Sequence, residues 1–221
     1  MPFLIILLSY LLGSIPTAYI AGRLTKGRDI RQMGDGNMGA QNAYRQLGVG
    51  VGISIGILDA AKGILVIIIA QLAGISQASV LLAGTAAVIG HNWPVFLGFR
   101  GGRGECTTIG VLLTLVTQPM LIAGSTAALV LLKTRNVIKA SVVMFVPLPF
   151  LCWWLGTPGL LVSYSIGLPC LVGFTHFIRI RRQPVRHGKT IPSCHRQTII
   201  DSTASQAYSI GKLSLSAWPV W

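Results

Sequence analysis

The stretch "CTTIGVLLTLVTQPMLIAGSTAALVLL" (106–132) decides how many times this chain crosses a bilayer. It carries no charge and is too long for one upright helix through a hydrocarbon core of about 30 Å, so as a single span it must tilt. Split at Gln118 and Pro119, it gives two helices of about 13 residues, each roughly 20 Å long and shorter than the core. Around it lie further uncharged or nearly uncharged stretches at 3–22, 47–73, 78–97 and 141–177. The last is too long for one crossing, and "LGTPG" (155–159) breaks it, because proline and glycine interrupt helices and suit short turns.

Charge placement chooses between the two readings of 106–132. With the split, the segments 23–46, 98–105, 133–140 and 178–221 all fall on one side, and together they hold every Lys and Arg except Lys62. Without it, the last two groups move to the opposite face. Loops rich in Lys and Arg stay cytoplasmic. The expectation is an all-α polytopic membrane protein with about seven spans, short or re-entrant segments around Pro119, the N-terminus outside and the C-terminus inside.

Composition agrees, with 52% hydrophobic and only 10% charged residues in 221. The opening segment lacks a charged leader and a small-residue cleavage site, so it is kept as the first span. The net charge of +13 then concentrates on the cytoplasmic face, where membrane lipid supplies anionic headgroups; no nucleic acid is expected as a partner. Cys106, Cys152, Cys170 and Cys194 show no CxxC spacing, three of them sit in apolar runs, and no metal or cofactor is expected. From Gln183 on there is no clear helical period, so 183–221 is expected to be a disordered cytoplasmic tail behind a membrane domain at 1–182.

Two polar loops carry the chemistry. In "KGRDIRQMGDGNMGAQNAYRQLG" (26–48), Gly34, Gly36 and Gly39 permit backbone turns that expose N–H groups, while Asn37, Asn42 and Arg45 add amide and guanidinium donors. That combination suits an oxyanion; the alternative is a polar loop that merely obeys the inside rule. In "GHNWPVFLGFRGGRG" (90–104), Arg100 and Arg103 surround Gly101, Gly102 and Gly104 directly before an apolar helix, the arrangement of an anion site at a helix N-terminus.

One pair and two histidines stand open to two readings each. Asp59 and Lys62 share a helix face at membrane depth, either as a site or as a packing ion pair. His91 ends the third span, as a hydrogen-bonded interface residue or as a proton acceptor. His176 ends the seventh span, before the basic cluster "RIRR" (179–182), as a boundary residue or a site residue.

Taken together, "GSIPTAYIAGR" (13–23), "GDGNMGAQNAYR" (34–45), "DAAKG" (59–63) and "GHNWPVFLGFRGGRG" (90–104) resemble the bacterial acyl-phosphate:glycerol-3-phosphate acyltransferases over about residues 1–180. The resemblance implies a seven-span protein of the inner membrane. It implies transfer of an acyl group from acyl phosphate to the 1-hydroxyl of glycerol 3-phosphate, giving lysophosphatidic acid for phospholipid synthesis, and contact with an enzyme that produces the acyl phosphate. The expected site residues are His91, His176 and Arg45 as catalytic groups. Gly34, Asp35, Gly36, Asn37, Gly39, Asn42, Lys62, Arg100, Gly101, Gly102, Arg103 and Gly104 are expected at the substrates. No histidine has an aspartate five positions later, so the hydroxyl proton must go to a histidine or to the acyl phosphate itself.

The chain departs from the family pattern at several of these positions. Asp35 stands for serine, Gln41 for threonine, Arg103 for lysine and Glu105 for a small apolar residue. In the third signature His176, Ile180 and Arg182 align, while Arg179 replaces asparagine and Gly188 glutamate. Asp35 matters most, since a carboxylate in an anion loop repels the ligand unless Arg45 or another cation neutralises it. An inactive paralogue that binds phospholipid precursors, or a small transporter of anionic metabolites, are the competing expectations.

Overall fold

The computed structural model describes residues 1–182, which form ten α-helices and two short 3-10 turns, with no strand among them. The tail expected at 183–221, and with it Gly188, lies outside the described residues. The expected first span is two helices, α1 (Pro2–Gly13) and α2 (Thr17–Lys26), separated at Pro16, whose ring and missing N–H prevent helix continuation. After the amphipathic α3 (Ala40–Leu47), α4 (Val49–Leu72) and α5 (Gln77–Asn92) follow, and α5 stops just before Pro94.

The deciding stretch is split. Helix α6 (Glu105–Leu115) and α7 (Thr117–Thr134) part at Val116, which has a non-helical backbone (φ −133, ψ 60). The break comes before Gln118 and Pro119 rather than at them, because proline is tolerated in a helix's first turn, where its N–H would have no partner. The two pieces are therefore unequal, 11 and 18 residues, instead of near-equal halves. Helices α8 (Val137–Phe145) and α9 (Leu148–Trp154) are parted by Pro147, and α10 (Gly159–Arg182) begins after the expected LGTPG break and runs through Pro169.

Among the described residues, five segments are long and apolar enough to cross a membrane, and α6 is a shorter apolar helix. Large apolar side chains such as Ile53, Ile57, Leu65 and Leu72 are exposed on α4, while Ile55, Asp59, Lys62 and Val66 on the same helix are buried. That pattern, apolar outward with charges inward, is what hydrocarbon solvent demands. Helix contacts rely on glycine. A Cβ on Gly13 or Gly90 would overlap backbone across the α1/α5 contact, and one on Gly63 or Gly110 would do so across α4/α6. With no hydrophobic drive between helices in lipid, backbone-to-backbone approach is how they associate.

Candidate active site

The first loop is built around two side chains. Asp29 starts a 3-10 turn by accepting Arg31 N–H at 2.9 Å, and its carboxylate also takes the Arg31 guanidinium at 2.6 Å. The Arg31 guanidinium holds the Asp29 carboxyl below its ordinary range, and Asp29 in turn pushes Arg31 upward. Asn42, buried on α3, donates its amide to Met33 O at 3.0 Å and Asn37 O at 2.9 Å. The loop is thus wound on Asn42, whose donors serve the backbone. Gly34 and Gly36 adopt left-handed φ of +57 and +70, and a Cβ on Gly34 would strike the side chains of Asn42 and Gln46. Gly39 caps α3, and Asn37 is buried behind it. Arg45 is exposed in the last turn of α3, one turn beyond Asn42, where the helix dipole favours a cation; Gln41 lies in the first turn of the same helix.

In the second loop the chain leaves α5, passes Pro94 and reverses through Gly98 and Phe99, both left-handed at φ +60 and +61. Gly101 N–H then donates to Asn92 O at 3.2 Å and Gly102 N–H to His91 O at 3.0 Å. The N–H groups of Gly101 and Gly102 are therefore turned back on the chain, contrary to their expected role as anion donors. These glycines serve a different need: a Cβ on Gly102 would fall on the His91 imidazole, and one on Gly101 on His91 O and Pro94. Gly104, at φ +77, caps α6. Glu105 occupies the first turn of α6, where the dipole favours an anion, and accepts a hydrogen bond from Ser141 on α8. Arg100 is exposed.

Two arginines join the loops. Arg31 Nη1 donates to Leu97 O at 3.3 Å, and Arg103 Nη2 lies 3.5 Å from Asp35 Oδ2. The other Asp35 oxygen accepts Asn37 N–H at 3.0 Å. Arg103, from the opposite loop, faces Asp35, so the neutralising cation expected as Arg45 or another includes one from the second loop. Thr175 of α10 donates to Arg103 O at 3.4 Å, which sets the half-buried His176 at the edge of this loop. Arg179, Ile180 and Arg182 continue the α10 backbone.

A second polar cluster lies inside the helices. Lys62 Nζ donates to Ile15 O at 2.5 Å, to Asp59 Oδ1 at 2.8 Å and to Thr17 Oγ1 at 3.4 Å, three acceptors for three ammonium protons. Thr17 also donates to Asp59 at 2.6 Å, and His91 Nδ1 is 3.6 Å from the same Asp59 oxygen. Asp59, Lys62 and His91 are all buried. Sequence spacing found the Asp59/Lys62 pair but missed Thr17 and the Ile15 carbonyl. The signal was present in Pro16: a proline inside a span frees backbone groups that another helix must satisfy. Thr17 also ends an apolar groove of about 570 Å³ between α2 and α4, lined by Ile20, Leu24, Val51, Ile55 and Leu58 among others.

The family model described as glycerol-3-phosphate acyltransferase matches residues 3–186. The chain belongs to that family. It is 60% identical over 182 residues to glycerol-3-phosphate acyltransferase 4 of Dehalococcoides mccartyi, covering 82% of this chain and 98% of the relative. It is 40% identical to the glycerol-3-phosphate acyltransferase of Halalkalibacterium halodurans, over 81% of this chain and 90% of that one. Among solved structures it resembles PlsY (YgiH), an integral membrane glycerol 3-phosphate acyltransferase, in its glycerol 3-phosphate form. That match has a TM-score of 0.74 and 32% identity, and covers 82% of this chain and 90% of the other. The lysophosphatidic acid form matches at a TM-score of 0.70. Its several helices apolar enough to cross a membrane, together with this likeness to PlsY, make the chain an integral membrane protein.

Proposed function

We propose that this chain transfers an acyl group from an acyl phosphate to the 1-hydroxyl of glycerol 3-phosphate, making lysophosphatidic acid for phospholipid synthesis. The observation that carries the proposal is the meeting of two basic glycine loops at Asp35 and Arg103, in a chain of this family. Glycerol 3-phosphate and the acyl phosphate each bring an anion to the boundary between water and hydrocarbon. Arg103, Arg45 and Arg100 are the cations for them, with His176 beside Arg103. The acyl chain lies in the groove between α2 and α4, which is lined mainly by apolar side chains, with hydroxyls only from Thr17 and Ser54.

In the reaction the glycerol oxygen forms an ester bond to the acyl carbon, the mixed-anhydride C–O bond breaks, and inorganic phosphate leaves with the hydroxyl proton. Charge developing on the carbonyl oxygen is stabilised by preplaced guanidinium donors, and holding both substrates together supplies much of the acceleration. Lys62 takes a supporting role rather than its expected substrate contact, since its protons are committed to Ile15, Thr17 and Asp59. His91 likewise supports the second loop from beneath Gly102.

Residues 1–182 act as the membrane domain, in the bacterial inner membrane. We assign seven crossings, with α6 as a short one, the N-terminus outside and both loops cytoplasmic, because this arrangement keeps the basic loops together. Cytoplasmic loops also give an acyl-phosphate-producing enzyme direct access. The decisive test is turnover by the purified chain with glycerol 3-phosphate and synthetic palmitoyl phosphate, with acyl-CoA and acyl carrier protein donors in parallel. Product is expected from palmitoyl phosphate alone, and its absence would refute the donor assignment. Single cysteines placed at the exposed Lys26 and Lys139 in a cysteine-free background should be labelled only from the cytoplasm; external labelling at 139 would undo the topology.

A further inference from the structure

Asp35 belongs to the first loop, yet its second oxygen is directed across at the second. Its Oδ1 is fixed by Asn37 N–H at 3.0 Å, and Asn37 O is in turn held by the Asn42 amide at 2.9 Å. Oδ2 faces Arg103 Nη2 at 3.5 Å. Arg103 is held from its own side, by Thr175 on its carbonyl and by Gly102 seated against His91. Both partners are thus oriented by separate scaffolds, and the carboxylate stands where a phosphate oxygen would approach the guanidinium. The pair is partly exposed, with 19% and 33% of the two side chains accessible, and such pairs are weak. A phosphate dianion offers the same guanidinium two parallel charge-assisted bonds and outcompetes a single carboxylate oxygen.

We propose that Asp35 is a built-in competitor for Arg103, which sets how tightly the site holds a phosphate ligand and keeps inorganic phosphate, the by-product, from lingering. The proposal deepens the acyltransferase assignment and rests on it for the identity of the by-product. Every phosphate ligand must displace the same carboxylate, so all are weakened. Glycerol 3-phosphate keeps contacts through its hydroxyls, whereas free phosphate has none to fall back on and is the first to drop below an inhibitory occupancy. Asp35 is in this sense an affinity-setting residue of the phosphate site. It also explains how a carboxylate is tolerated inside an anion loop: its charge is matched while the site is empty and yields when the ligand arrives.

The test is binding of inorganic phosphate to the full-length, detergent-purified chain by titration calorimetry, which needs no turnover. Asp35→Asn keeps the acceptor for Asn37 N–H and removes the charge; it should lower the phosphate Kd about two- to fivefold, the scale of a partly exposed ion pair. Asp35→Ser should shift it in the same direction. In an Arg103→Ala background the same Asp35 change should have a smaller effect, since the competition for the guanidinium is gone. In the turnover assay the variant should be inhibited by correspondingly lower phosphate, with a lower KM for glycerol 3-phosphate. An unchanged or raised phosphate Kd in both Asp35 variants, or an equal shift without Arg103, overturns the inference. A chain that shows the binding pattern but no acyl transfer would overturn the proposed reaction instead, so the two failures are separable.

Discussion

Asp59 and Asp35 each face a cation on this chain, in opposite settings. Asp59 meets Lys62 at 2.8 Å with 1% and 7% of the side chains accessible, whereas Asp35 meets Arg103 at 3.5 Å with 33% and 19% accessible. The buried pair is surrounded by its own helices, with Thr17 and the Ile15 carbonyl completing it. The loop pair spans two segments that a ligand can part. Burial makes a broken pair costly, because the abandoned charge has no water to turn to, while exposure makes a pair weak and exchangeable. The same chemistry therefore serves as a fastening in one place and as an adjustable contact in the other.

The largest effect should come from breaking the buried pair. Asp59→Ala leaves the Lys62 ammonium uncompensated among helices and should cost about 3 to 5 kcal/mol of stability. The readout is the thermal midpoint of the purified protein in detergent. Replacing both partners with apolar residues, Asp59→Leu with Lys62→Met, should recover most of the loss, since nothing charged is then left unpaired. A single substitution that moves the midpoint no further than a surface change would mean the pair is hydrated, and the contrast with Asp35 would collapse.

Next in size is the support beneath the second loop. Gly102→Ala pushes a methyl into the His91 imidazole and displaces Arg103, so kcat/KM should fall on the order of 100-fold, the scale of a misplacement near 1 Å. Adding His91→Ala should restore part of that loss by opening the space. Full activity in Gly102→Ala alone would show that the loop does not rest on the histidine during turnover. Arg103→Ala should cost about 10- to 100-fold through KM or kcat, as for a lost charge-assisted hydrogen bond, with Arg103→Lys milder. Equal kinetics in parent and Arg103→Ala would leave that guanidinium without a ligand.

What the sequence made legible follows the same divide. Apolar stretches, the basic loops and the Asp59/Lys62 pair are visible because each is a local property: hydropathy over a window, charge in a loop, spacing on one helix. Pro119 was legible as a break signal, but the helix parts at Val116, since a proline can open a helix as well as end one. Contacts made by folding were not legible. Nothing in the spacing brings Arg103 to Asp35, or His91 within 3.6 Å of Asp59 on another helix; the aspartate that His91 faces comes from packing, not from a short motif. Gly101 and Gly102 were read as free N–H donors because glycine-rich loops before helices often are. Here their N–H groups close the loop on its own carbonyls, a choice only the path through Gly98 and Phe99 reveals.

The smallest expected effect lies at Asp29 and Arg31, a loop pair fixed within its own segment and so intermediate between the two extremes. Arg31 meets Asp29 at 2.6 Å and also reaches Leu97 O, so the pair fastens the first loop to the second. The guanidinium, with the Arg31 backbone N–H, holds the Asp29 carboxyl below its ordinary value of 3.8. A carboxyl depressed in the folded state stabilises the fold fully above its unfolded value and loses that contribution as pH falls through the folded value. The stability difference between the parent and Asp29→Asn should therefore be constant from neutral pH down to about 4, then shrink at lower pH, where both chains carry a neutral group at this position. Taking the difference removes whatever the two chains have in common. Thermal midpoints measured in pairs from pH 6 to pH 3 give the curve. A difference that grows on acidification would reverse the sign and show Asp29 to be held protonated, and one that stays flat throughout would mean that Asp29 binds Arg31 no better folded than unfolded. Either result would remove Asp29 as the anchor that holds Arg31 toward the Leu97 carbonyl, and the inter-loop contact of Arg31 would then have to stand without it.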